Sequence, residues 1–313
     1  MALSPHSKQP LRLGTRRSPL AMAQAEEARD RLLAAHPGLA VEIVPVTASG
    51  DKVLDRPLAE IGGKALWTKE LDAWLLGGEI DIAVHSLKDV ETLRPAEITI
   101  AAVLPREDVR DVLVGAAALA DLPPGARIGT SAPRRAAQAL HARPDCEVVM
   151  FRGNVQTRLA KLAAGEADVT LLAAAGLNRL GQAAVGTPLD PQLWLPAPGQ
   201  GAIAIECRAM DAATRALLAA IDHLPSRHAV LAERALLAAL GGNCHSPIAV
   251  LTEPDGADLA MRAAIFSPDG TERVEATRRF APGDTAGPAA LANELLERAG
   301  AAIRAHFAGP EGG

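Results

Sequence analysis

The chain is 313 residues long, 49 % apolar and 22 % charged, a balance that builds a buried core and excludes a disordered chain. At this length the apolar residues divide over two or three domains. A formal net charge of −5, 2 % aromatic residues and no tyrosine argue against nucleic acid as partner, because such binders carry a basic field and stacking rings. Cys146, Cys207 and Cys244 form an odd set without metal-ligand spacing, so neither a disulfide framework nor a metal site is expected. The opening MALSPHSKQPLRLG has no apolar run behind its positive charges, and no stretch approaches ~20 uncharged apolar residues. A cytoplasmic protein without membrane contact is the expectation.

In chain order, residues 11–15 read as a strand, 20–35 as an amphipathic helix and 41–46 as a strand. A helix over about 68–76 and a strand over 80–84 follow. Strands alternating with helices predict an α/β unit with a mainly parallel sheet. LGTRRSPLAMAQA (13–25) is echoed by IGTSAPRRAAQAL (128–140), and GEIDI (78–82) by GEADV (165–169). The two spacings differ, so these are two lobes of similar design rather than tandem repeats. LPRED (104–108) and LPAPGQG (195–201) suit crossings between lobes, since proline and glycine disfavour continuing helix. The strand expected at 202–206 returns to the first lobe. A third unit opens with a helix over 226–240, continues with strands at 248–251, 259–266 and 273–279, and closes with one helix over 289–306.

Three strand-to-helix junctions are basic. The first carries Arg16, Arg17 and Ser18, the second Ser131, Arg134 and Arg135, and the third Arg152 with Arg158 inside the following helix. Amide groups at a helix start attract anions, and arginine adds two-pronged carboxylate recognition. One such arginine reads equally well as a solvated surface residue; three junctions together predict a cleft for an organic polyanion. No GxxxxGK[ST] loop favours phosphate. The strand at 80–84 runs into His85-Ser86-Leu87-Lys88-Asp89, and open α/β sheets bind ligands beyond the carboxyl ends of their strands. Lys88 suits a substrate carboxylate; Asp89 suits a cation or a proton transfer, although such a pair is commonly a surface ion pair. Cys244 follows two glycines at a helix end, where the thiol is exposed and His245 can favour the thiolate. Cys146 and Cys207 sit by apolar runs and read as core fillers.

Nine ordered segments together resemble the porphobilinogen deaminase family: LRLGTRRSPLAMAQA, GDKVLDRPLAEIGGKALWTKEL, IDIAVHSLKD, PREDVRDVLV, GTSAPRR, FRGNVQTRLAKL, AGLNRLG, PAPGQGAIAIECR and GGNCHSPIA. The resemblance runs from about residue 11 to 250 and is weaker beyond. It implies two similar α/β lobes of the periplasmic-binding-protein kind around a cleft, plus a smaller C-terminal α+β domain. The implied division is 1–104 with 202–222, then 105–201, then 223–313. It implies a monomer that condenses four porphobilinogen molecules head to tail, releases ammonia and yields hydroxymethylbilane. The implied cofactor is dipyrromethane, joined by a thioether to Cys244. Asp89 matches the family's catalytic aspartate, and Cys244, Lys88, Asp89, Ser131, Arg134 and Arg135 match its cofactor site. Arg12, Arg16, Ser18, Trp67, Ser86, Arg152, Arg158, Arg179 and Gln200 match its substrate contacts.

Each porphobilinogen brings an acetate and a propionate, so an arginine-lined cleft suits the growing chain. Trp67 stands where phenylalanine is usual, Pro133 where leucine is, Asn243 where glycine or serine is, and Gly241 where an acid is. Pro133 is expected to open a helix, where its missing N–H is harmless. The rival reading is a two-lobed anion-binding protein without catalysis, which needs no reactive thiol.

Overall fold

The computed structural model describes residues 9–46, 68–243 and 245–307; the expectations for Trp67 and Cys244 lie outside the described residues. Strands β1 (Leu11–Arg16), β2 (Val41–Val46), β3 (Ile82–Ser86), β4 (Ile98–Val103), β5 (Asp111–Val114), β6 (Arg127–Gly129), β7 (Glu147–Val149), β8 (Val169–Ala173), β9 (Thr187–Pro188) and β10 (Ile203–Arg208) build two five-stranded sheets. Their orders, β2-β1-β3-β10-β4 and β7-β6-β8-β5-β9, follow one plan. In each, the first three strands pair parallel and the last two join antiparallel. The echo between 13–25 and 128–140 is therefore architectural: β1 and β6 occupy equivalent places in two similar lobes. The chain crosses after β4 and returns before β10, which pairs with β3 and β4 as expected.

Each lobe's helices follow from caps and small residues. Ser18 accepts the Ala21 amide and Pro19 opens α1 (Pro19–Ala35), which lays Ala25, Ala28 and Leu32 on Leu11, Leu13, Ile82 and Val84. The helix α2 (Lys69–Gly77) ends at Gly78, whose φ of 81° is the left-handed conformation glycine adopts freely. Pro133 does open α3 (Pro133–Ala142). Asn154 caps α4 (Val155–Ala163) through the Thr157 amide, and α5 (Ala174–Arg179) follows β8 directly. No helix of the described residues is long and apolar enough to cross a membrane.

After α6 (Ala212–Ala219), the third domain packs α7 (Leu224–Ala239) and α8 (Ala286–Arg298) on the antiparallel sheet β11 (Ile248–Asp255), β12 (Asp258–Phe266) and β13 (Arg273–Phe280). Two expectations shift. The third strand begins at Ile82 rather than residue 80, because Ile80 is a core plug against Leu71 and Leu75, and the Asp81 carboxylate takes the Arg12 amide at 2.9 Å. The helix expected over 289–306 is broken: Ala299 is extended, and α9 (Ala301–Arg304) starts afresh. Arg304 donates to the carbonyls of Leu296 and Glu297, both at 2.9 Å, closing α8 while Ile303 and Phe307 turn into the core.

The two crossing segments touch. Glu107 N donates to Gly201 O at 3.2 Å; Gly201 has φ of +85°, and an added Cβ would stand 2.4 Å from Glu107 O. Backbone meets backbone there, so neither side yields. Gly201→Ala should lower stability by about 2 kcal/mol or more, read as a fall in the urea midpoint; an unchanged midpoint would contradict this account of the crossing.

Candidate active site

A cavity of about 620 Å³ lies between the lobes and is closed on one side by the third domain. It opens beyond the carboxyl ends of β1, β3, β6 and β8, where open α/β sheets bind ligands. All three basic junctions meet in it. Arg16, Arg17 and Ser18 come from the β1–α1 junction, Ser131 from the β6–α3 turn with Arg134 and Arg135 in the first turn of α3, and Arg152 from the β7–α4 turn with Arg158 inside α4. Ser86, Lys88 and Asp89 enter from the end of β3, and Gln200 from the second crossing. Among the described lining residues, seven lysine and arginine side chains face one carboxylate, Asp89.

Local sequence explains these placements. An added Cβ on Gly129 would be 2.6 Å from the Phe151 ring, so glycine is what lets Phe151 bury under the junction and deliver Arg152 to the cavity. Gly153, at φ +113°, then turns the chain into α4, and Arg158 Nε donates back to its carbonyl at 3.0 Å. Burial, with the positive charge of Arg135, pushes Arg158 down to about 10.

The arginine pair of α3 is held from behind. Asp111 accepts Arg134 Nη2 at 2.8 Å, Arg135 Nη2 at 2.7 Å, Trp194 Nε1 at 2.8 Å and Gln200 Nε2 at 2.9 Å. Burial opposes its ionisation, but the two guanidiniums outweigh that and hold its carboxyl well below the usual range. Arg134 Nη1 and Arg135 Nη1 take the Leu195 and Leu171 carbonyls. The Nε of each arginine, and Gln200 Oε1, are left buried without a hydrogen bond. Lys88 has no ion pair among the described residues; burial and the nearby Arg135 push it down to about 8. Asp89 lies close enough to Lys88 and Arg158 to favour their charged forms, and it accepts no hydrogen bond from a described residue.

Two expected substrate contacts do not line the cavity. Arg12 lies four residues before Arg16 on β1, ~13 Å further from the carboxyl end, and is bound to Asp81 at 2.8 Å. Arg179 bridges the lobes, donating to Glu27 at 3.2 Å and to Gly201 O at 3.1 Å. Ser86 lines the cavity while bonded to Gln24. Cys244 lies outside the described residues; Asn243 and His245 on either side of it line the cavity. Burial lowers the pKa of His245. Cys146 and Cys207 are buried and burial raises both thiols, Cys207 to about 11, as suits core fillers. Asp111 escaped the sequence reading, although an acid opening the apolar run DVLV was the available signal: a charge in such a run is buried only when paired.

Two family models match the chain: "porphobilinogen deaminase, dipyromethane cofactor binding domain" over residues 11–216 and "porphobilinogen deaminase, C-terminal domain" over 228–299. The chain belongs to the porphobilinogen deaminase family. Curated relatives named porphobilinogen deaminase include one from Sphingopyxis alaskensis, 60 % identical over 96 % of this chain and 97 % of its own. Another, from Paracoccus denitrificans, is 52 % identical over 95 % and 96 %. Among solved structures, a periplasmic substrate-binding protein of an ABC transporter from Coxiella burnetii matches with a TM-score of 0.43 and 17 % identity over 71 % of this chain and 94 % of that one.

The cavity residues fit the family's dipyrromethane. Among the described residues, the Nε of Arg134 and of Arg135 has no hydrogen-bond partner and Lys88 has no ion pair, and carboxylates are the groups that satisfy such donors. Lys88 is where this shows as pH dependence. Its ordinary value is 10.5, so the unfolded chain holds this proton longer than the cofactor-free fold. The cost of burying the charge is full below about 8 and is relieved as pH rises toward 10.5. In the cofactor-free chain, acylation of Lys88 mapped by mass spectrometry should show a midpoint near pH 8; a midpoint at the ordinary lysine value would contradict this.

Proposed function

We propose that the chain joins four porphobilinogen molecules head to tail, with loss of ammonia, on a dipyrromethane held by Cys244, and frees hydroxymethylbilane by hydrolysis, a step of tetrapyrrole biosynthesis. The observation that carries this reading is the charge of the cavity, seven cations around a single acid among the described lining residues, in a chain that belongs to this family. The same proposal divides the chain at 104/105, 201/202 and 222/223. It has the enzyme act as a cytoplasmic monomer without nucleic acid or membrane, in keeping with the acidic net charge.

When bound, the dipyrromethane supplies the pyrrole carbon to which the first substrate unit is joined. Lys88, Ser131, Arg134 and Arg135 hold its carboxylates, with Asp111 keeping the two arginines in register. Arg16, Ser18, Ser86, Arg152 and Arg158 receive the acetate and propionate groups of incoming and growing chain, fixing reacting carbons against each other, while Gln200, whose amide N–H groups go to Val109 O and Asp111, offers those groups no donor. Arg12 and Arg179 serve the scaffold instead. Loss of ammonia from porphobilinogen leaves a methylene-pyrrole cation. Asp89, the one acid among these cations, stabilises that charge and receives pyrrole protons.

Support for attachment at Cys244 comes from the cavity-lining positions of Asn243 and His245 and from the burial of the other two cysteines. The intact mass of the purified chain, measured denatured and reduced, should exceed the sequence mass by a dipyrromethane and lose that excess in Cys244→Ala. An unmodified parent chain would favour the rival anion-binding protein. Asp89→Asn should keep the added mass and lower turnover by ~10²–10⁴; a parental rate would remove Asp89 from the chemistry.

A further inference from the structure

Asp89 sits on a short piece of backbone that the third domain grips. Arg234, on α7, donates from Nη1 to Val90 O at 3.2 Å and from Nη2 to Glu91 O and Thr92 O at 2.6 and 3.0 Å. Thr92 Oγ1 donates to Gly242 O at 2.9 Å, two residues before Cys244. On either side of Asp89, Leu87 and Val90 are buried in a cluster with Val230 of the same helix. Among the described residues the Asp89 side chain takes no hydrogen bond, and these contacts hold the backbone that carries it. Gly242 packs against α7, where an added Cβ would be 2.7 Å from the Leu237 Cδ1 methyl. A planar guanidinium on three successive carbonyls fixes a chain path in a way that a point charge does not.

We propose that Arg234 and Thr92 are positioning residues that set where the Asp89 carboxylate stands relative to the cofactor loop. The third domain then governs the acid as well as carrying the primer. This inference rests on the proposed function, in which Asp89 is the acting carboxylate. If the contacts were interdomain glue alone, their loss would lower stability without passing through Asp89.

A double-mutant cycle on the cofactor-loaded enzyme separates the two. Thr92→Val, Arg234→Lys and Arg234→Met are each made alone and with Asp89→Asn, with loading checked by mass and kcat and KM measured. Thr92→Val and Arg234→Lys should lower kcat about 10-fold and Arg234→Met more, as misplacement of a reacting group by a fraction of an ångström does. KM should stay within about twofold and loading complete, and in the Asp89→Asn background the further loss should shrink to about twofold or less. Losses that multiply with Asp89→Asn, or single variants with parental kcat, overturn the inference. If Arg234→Met does not fold, the near-isosteric Thr92→Val decides by the same criteria. A parental rate in Asp89→Asn alone is a separate outcome that removes Asp89 from the chemistry and overturns this inference, whereas absence of the added mass overturns the proposed function itself.

Discussion

Asp111 holds two arginines side by side where nothing else would let them stay. Two guanidiniums brought together out of water repel each other and each loses hydration. Their shared carboxylate, with Trp194 and Gln200 completing its hydrogen bonds, makes that arrangement affordable and fixes its geometry. One acid between two bases still leaves a positive excess, and among the described residues Arg17, Lys88 and Arg158 add to it around the same cavity. Burial lowers the pKa values of Lys88 and Arg158, and the neighbouring positive charge of Arg135 lowers them further. A cleft of this kind is complete only when carboxylates enter it, which is why the charge pattern and the dipyrromethane belong to one argument.

The helix α7 ties this cleft together mechanically. Its Glu233, fully buried, accepts Arg106 at 2.8 and 3.0 Å and the backbone amides of Gly199 and Thr252, so both lobe crossings and the third sheet meet on one carboxylate. The next residue, Arg234, turns to the segment after Asp89. Beside that segment a second buried network joins Arg94 to Asp72, Glu91 and Glu206, with His85 on Glu206 at 3.2 Å. Breaking any member of such a set strands a buried charge, at a cost of about 3–5 kcal/mol. The acid and the cofactor loop are therefore each borne by well-anchored backbone.

Much of this was legible in the sequence, for local reasons. Ser18-Pro19 and Asn154 announce their helices, and alternation of strand and helix gives the two lobes. The three basic junctions are visible because strand-to-helix turns carry them. What escaped depends on distance along the chain. Asp111 finds its partners 23 to 89 residues away, so no window shows the clamp. Arg12 and Arg16 share one strand and one residue type, and only the sheet reveals which end faces the cleft. β9 has two residues, too few for any periodicity, and the break before α9 is decided by Arg304 reaching back to α8.

The central claim is that bound carboxylates complete the cleft's charge balance. Thermal unfolding of the cofactor-loaded chain beside the cofactor-free Cys244→Ala chain, across a series of salt concentrations, tests it most directly. The account predicts that the loaded chain melts several degrees higher at low salt, by about the 4 °C or so that each 1–2 kcal/mol confers on a chain of this size. The gap should narrow as salt screens the unbalanced cations. Equal melting temperatures at low salt, or a gap indifferent to salt, would contradict it.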